Sequence, residues 1–130
     1  MSQPEPSLGM PFADLLGIAI TKQDKDRVTA KMLVRPELCT AGGIVHGGAL
    51  MAFAGSVGAI ATFINLPAGA QGTTTVESKT NFVRSVKSGQ TVFSSTTPVH
   101  TGRRSQVWQT RLETEDGKLV ALVTQTQMVL

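Results

Sequence analysis

Apolar and polar positions along this chain follow two different periods, and the change between them marks out the fold. Val28, Ala30, Met32 and Val34 alternate with a polar set that includes Arg27, Thr29 and Lys31. That period of two predicts a half-buried strand. Gly17 to Thr21 predicts a shorter strand before it, joined through the polar turn Gln23-Asp24-Lys25-Asp26 as a hairpin. Upstream, Pro11 to Leu16 predicts a short helical turn with proline at its first position. A helix is then expected from Gly47 or Gly48 to about Asn65, stopped by Leu66-Pro67 and Gly69. After Gly72 the period returns to two. Strands are expected over Thr73 to Val86, Thr91 to His100, Ser105 to Glu113 and Lys118 to Leu130. The turns between them are Lys87-Ser88-Gly89, Thr101-Gly102-Arg103 and Glu115-Asp116-Gly117-Lys118. Asp-Gly in the last suits a type I′ turn. The four strands read as a meander.

The long helix is apolar around nearly its whole circumference, so it is either buried on most sides or a membrane span. It is slightly short for a hydrocarbon core of about 30 Å, and Gly55, Ser56, Gly58 and Thr62 lower its hydrophobicity. Burial under a sheet is the expectation, with no membrane partner. One helix covered by six antiparallel strands is an α+β architecture. Its sheet needs cover at an edge or on its outer face, which predicts at least a homodimer.

Size and charge narrow the picture further. The chain of 130 residues suits one domain over 11–130, preceded by a flexible tail at 1–10. A single cysteine, Cys39, precludes an internal disulfide and suits the cytoplasm. The N-terminal stretch has no basic residue before Lys22 and does not read as a signal peptide. The net charge of +3 comes wholly from residues 77–130. That favours an anionic small molecule such as a phosphorylated cofactor over nucleic acid, for which aromatics and basic runs are too few.

From Leu38 to Val76 there is no Asp, Glu, Lys or Arg, and Gly42, Gly43, Gly47 and Gly48 flank His46. The expectation is a dry site around this histidine, with glycines that allow close approach and positive φ. A lone histidine is more often structural than catalytic, so the backbone there counts for more. Unpaired N–H groups at the start of a helix, aided by its dipole, could stabilise an acyl oxyanion. Ser56 lacks a nucleophile elbow and is expected to bond back one turn. Cys39 reads as a small apolar residue, and Glu77 as solvated or lysine-paired. Phe53, Phe63 and Phe82 read as core first and acyl-pocket lining second. Neither His46 nor His100 has partners at metal-ligand spacing, so no metal is expected.

Val45-His46-Gly47-Gly48 and its helix, the strand Thr75-Val76-Glu77-Ser78-Lys79-Thr80-Asn81-Phe82-Val83-Arg84, and Gly117-Lys118-Leu119-Val120-Ala121 together resemble the hotdog-fold acyl-CoA thioesterases. The PaaI-type (phenylacetate-degradation) group is the nearest, and the resemblance covers about Pro11 to Val129. It implies an antiparallel sheet wrapped around the central helix, dimers that pair into homotetramers, and active sites at the dimer interface. The N–H of Gly47 or Gly48 would serve the oxyanion, Thr75 would assist, and an acid on the partner's helix would act as base or nucleophile. In this chain that acid position, nine residues after His46, is Gly55, and where many of the resembled proteins carry an Asn six residues before the histidine this chain has Thr40. His46, Ser56 through water, or Glu77 are the alternative bases. Arg84, Lys87, Arg103 and Arg104 are candidates for the phosphates of coenzyme A, and Phe82 for the acyl group. No cofactor is expected beyond coenzyme A as part of the substrate. A noncatalytic acyl-CoA binding module is the second reading, and an acyl-thioester hydratase the third.

Overall fold

The computed structural model of this protein describes residues 7–130. Helix α1 (Pro11–Leu16) leads into strands β1 (Ala19–Asp24) and β2 (Arg27–Leu33), then a single 3₁₀ turn at Pro36–Leu38. Helix α2 (Gly47–Ile64) follows, and strands β3 (Thr73–Phe82), β4 (Thr91–Thr101), β5 (Ser105–Glu113) and β6 (Leu119–Val129) complete the chain. All six strands form one antiparallel sheet in the order β1-β2-β4-β5-β6-β3. This is the hotdog arrangement that the resemblance implies.

The sheet curls around α2 because one face of the helix and one face of the sheet are apolar together. Leu50, Phe53, Ala54, Val57, Gly58 and Ala61 are buried on the helix. Val28, Ala30 and Met32 meet them from β2, as the alternation requires. Trp108, Leu112 and Val123 come from β5 and β6. By length and composition α2 could cross a membrane, with a mean hydropathy of 1.7 over 18 residues. Its buried stripe lies instead against the concave sheet. Met51 and Phe63 stay exposed on the opposite side of the helix, where Ala52, Gly55 and Ala59 are half-buried.

Several details depart from the sequence reading. Gly17, expected to open β1, takes φ 76° and caps α1, its N–H donating to Asp14 O (3.0 Å). The helix needs a left-handed residue to end, and glycine supplies it at little cost. The strand therefore starts two residues later. The expected final meander is broken. β3 does not pair with β4; it pairs with β6 at the far edge, while β4 inserts between β2 and β5. β3 also ends at Phe82 rather than Val86, because residues 83–90 must travel between these positions beneath the start of α2. Val45 N–H donates to Val86 O and Ser88 N–H to Gly43 O, at 2.8 and 3.0 Å, pinning that crossing segment to the helix entrance. The β5–β6 hairpin is not type I′. Only Gly117 has positive φ (84°), and Gly117 N–H donates to Thr114 O (2.9 Å). This is a three-residue loop, a turn followed by a left-handed glycine.

The first six residues of the expected tail lie outside the described residues. Ser7 Oγ and Leu8 N–H both donate to the Asp14 carboxylate, at 2.8 and 2.7 Å.

Candidate active site

The start of α2 is built around His46. Its backbone is extended (φ −69°, ψ 135°), and its Nδ1 accepts the Gly48 N–H at 2.7 Å. The ring is therefore the N-cap, with Nδ1 unprotonated and any ring proton on Nε2. Ala49 and Leu50 N–H donate to His46 O, at 2.9 and 3.3 Å. Of the first four amides of the helix, the Gly47 N–H alone has no acceptor among the described residues. There is no acid in the first turn to neutralise it.

Gly47 and Gly48 are helical, not left-handed; the positive φ values belong to Gly42 (87°) and Gly43 (73°) in the preceding turn. What favours glycine at 47 and 48 is the space that the Phe82 and His46 rings take up. A Cβ at Gly47 would stand 3.1 Å from the ring of Phe82, and one at Gly48 would stand 2.8 Å from His46 Nδ1. The Phe82 ring thus lies over Gly47 and roofs a cleft of about 350 Å³, walled also by Val45, Leu50 and Arg84. The expected dry surround of His46 is not found in this chain. His46 is exposed because the charge-free stretch turns its apolar side chains toward the sheet.

Gly55 lies two turns further along α2, about 12 Å by helix rise, on the side facing away from the sheet. A Cβ there would meet nothing within 4 Å. Ser56 Oγ donates to Ala52 O (2.8 Å), the back-bond expected of a helical serine. Thr75 faces the helix side of β3, and its hydroxyl accepts from Gln127 Nε2 (2.6 Å) beside the bulge at Val76. Glu77 pairs with Thr126 in register, on the outer face of the sheet. It makes no ion pair among the described residues and points away from Gly47. Thr40 is exposed at the turn before the site, its N–H donating to Ile44 O (2.8 Å).

The cationic candidates separate into two groups. Arg84 lines the Gly47 cleft, and Lys87 lies in the same crossing segment. Arg103 and Arg104 sit in the β4–β5 turn at the other end of the sheet, where Arg104 O accepts from Val129 N–H (2.9 Å) opposite the start of β3. The length of β3, roughly 30 Å, separates them from Gly47. Phe53 is core, whereas Phe63 and Phe82 are exposed. Among the described residues no three His, Cys, Asp or Glu side chains converge on one point.

One polar contact was invisible in the sequence. Gln125 is fully buried on β6, and its Nε2 donates to Gly55 O (3.4 Å) while its Oε1 has no partner. Its amide lies directly against Gly58, which has no room for a Cβ. The only signal was a lone glycine inside an apolar helix; a glutamine in an alternating strand reads as outward-facing.

Comparison with known proteins places these features in context. The family model of the thioesterase superfamily matches residues 42–121. A Mycobacterium tuberculosis protein named as an esterase is 35% identical over 86% of this chain and 81% of its own length. Its solved structure superposes with a TM-score of 0.88, covering 93% of this chain and 97% of that one. The Escherichia coli 1,4-dihydroxy-2-naphthoyl-CoA hydrolase is 35% identical over 68% of this chain and 63% of its own. The PaaI protein of the E. coli phenylacetic acid degradation operon, at 22% identity, shares the fold with a TM-score of 0.82 over 92% of this chain and 84% of that one.

Proposed function

This chain belongs to the thioesterase superfamily, and from that premise we propose that it is an acyl-CoA thioesterase acting on a medium-chain or aromatic acyl group. The observation that carries the reading is the unpaired Gly47 N–H at the dipole-positive end of α2, opening into the cleft under Phe82. A thioester carbonyl that accepts this N–H is polarised. Water attacks its carbon and gives up a proton to solvent, the tetrahedral oxyanion keeps the same donor, and collapse breaks the C–S bond, leaving the carboxylic acid and a coenzyme A thiolate that takes up a proton. One such donor is worth about 3 kcal/mol of barrier. The E. coli relative, whose name describes hydrolysis of an acyl-CoA, supports the substrate class.

Activation of the water is the weak point of this chain. His46 Nδ1 is held by Gly48 N–H, Ser56 Oγ by Ala52 O, and Glu77 lies on the other sheet face. With glycine at 55, hydrolysis is slow by the roughly 10²–10⁴-fold that a general base contributes. The second reading, an acyl-CoA binding module without turnover, draws on the same Gly55.

A coenzyme A thioester panel followed by thiol release tests both. The expected result is slow turnover for this chain and a gain of roughly 10²–10⁴-fold for Gly55→Asp, for which the space is open. If neither chain releases thiol from any thioester but S-alkyl-CoA binds, the module reading holds.

The site is proposed to be shared between copies, in the cytoplasm. The free edge of β3 and the open side of α2 invite a second chain, placing its residue 55 near Gly47 of the first, and two such dimers form a homotetramer. Light scattering that reports a monomer would exclude this assembly.

A further inference from the structure

β3 carries two charges that nothing else in the chain answers. Glu77 and Lys79 are exposed on the outer face of the sheet, two residues apart, and neither makes an ion pair among the described residues. Across the ladder they meet Thr126 and Thr124, and the other side of β3 is a free sheet edge ten residues long. A lone lysine on an edge keeps other strands away. An acid and a base at alternate positions can instead pair with a copy of themselves.

Two copies of one strand paired about a two-fold axis perpendicular to the sheet run antiparallel, and directly opposed side chains share a face. Few registers of the regular stretch from Glu77 to Phe82 meet that condition with favourable charge. Lys79 on the axis meets Lys79, and Glu77 on the axis meets Glu77, both unfavourable. Thr80 on the axis sets the two charges against the uncharged Asn81 and Val83. With Ser78 on the axis, Glu77 of each copy stands opposite Lys79 of the other, and two ion pairs form at once.

The helix-facing side of β3 points to the same register. The bulge at Val76 brings Thr73 and Thr75 onto that side with Ser78, Thr80 and Phe82. Thr75 then lies opposite Thr80 of the second copy, and Thr73 opposite Phe82. Thr80 Oγ1 is buried with no hydrogen-bond partner among the described residues. Thr75 Oγ1 accepts from Gln127 Nε2, so its own proton is free to donate. Opposed threonines hold their Cβ atoms about 5 Å apart, and a change of Thr80 rotamer brings the two hydroxyls together. Ser78 meets itself, which suits a hydroxyl that both donates and accepts.

We propose that β3 pairs with β3 of a second copy with Ser78 on the two-fold axis, fastened by two Glu77–Lys79 ion pairs outside and two Thr75–Thr80 pairs inside. This rests on the shared assembly above and adds its register. Arg104 O accepts from Val129 N–H, and Val129 is opposite Thr73. The pairing therefore carries the Arg103-Arg104 turn of one chain to the Phe82 cleft of the other.

Sedimentation velocity over a dilution series measures the dimer formed by Glu77→Lys, by Lys79→Glu and by the double exchange. Each single change sets like charges opposite at both positions and should weaken the dimer about tenfold or more at low salt; the double exchange should restore it to within about threefold. Oxidation in a Cys39→Ser background reads the register. Ser78→Cys should bridge the two copies, because opposed Cα atoms lie about 5 Å apart, whereas Lys79→Cys and Thr80→Cys should not. A dimer indifferent to both charge reversals, or bridged through Lys79→Cys or Thr80→Cys in place of Ser78→Cys, overturns the register and leaves the shared site and the acyl-CoA reading standing. A chain that is monomeric at every concentration overturns the register and the shared site together, while thiol release still decides the acyl-CoA reading.

Discussion

Gly58 and Gly55 lie one turn apart on the same helix, and the structure gives their replacement by alanine opposite signs. At Gly58 a Cβ would stand well under 3.0 Å from Gln125 Oε1, Cδ and Nε2, inside a fully buried contact. Overpacking a core costs about 1–3 kcal/mol. Displacing Gln125 also loses its bond to Gly55 O, worth about 0.5–1.5 kcal/mol. Against this stands the gain of about 1 kcal/mol for alanine over glycine in a helix. Gly58→Ala should therefore destabilise by about 1–3 kcal/mol. Gly55→Ala meets nothing and should stabilise by about 0.5–1 kcal/mol. Urea denaturation at one fixed protein concentration measures both, since an oligomer makes stability concentration-dependent. The cause is isolated by a cycle with Gln125→Ala. In that background the obstruction is gone, and Gly58→Ala should become neutral or stabilising. An equal cost of Gly58→Ala with and without the Gln125 side chain would refute the steric account.

Two further outcomes are expected. His46→Asn retains an acceptor at the N-cap and should keep stability and turnover within a few-fold, whereas His46→Ala should lose about 1 kcal/mol; equal loss of turnover in both would show that the ring does chemistry. The Thr114 hydroxyl, which donates to Asp116 Oδ1 at 2.5 Å, is the main cause holding the Asp116 carboxyl below its ordinary value. The sign follows: whatever this contact adds to the hairpin is present above the carboxyl's unfolded titration and is lost as pH falls through the depressed folded one. Thr114→Val should raise the Asp116 titration measured by carbon-detected NMR.

The elements were largely legible because their periods were strong. The alternation over Val28 to Val34 and the apolar run after Gly48 could each bury only one way. The partners of β3 were not legible, because a period of two says which face is inward and nothing about which strand lies alongside. Only the path beneath the start of α2 reveals that residues 83–90 carry the chain across the sheet. The Asp-Gly signal marked a hairpin correctly, but only Gly117 took the left-handed conformation. At the site, the glycines at 47 and 48 could be identified, but their reason could not: Phe82 packs on Gly47 from 35 residues away in sequence, and the His46 ring folds back on Gly48. The buried glutamines at 125 and 127 were hidden by their own polarity, since they bond to helix and strand groups that the sequence does not place beside them.

The unpaired donor at the start of α2 belongs to the main chain. A side-chain substitution can crowd it but cannot delete it, whereas a carboxylate at residue 55 is one codon from disappearing. The two halves of this chemistry are therefore unequally exposed to mutation. On the mechanism proposed above, a chain that loses the acid keeps the donor that polarises the carbonyl, so one substitution separates turnover from binding.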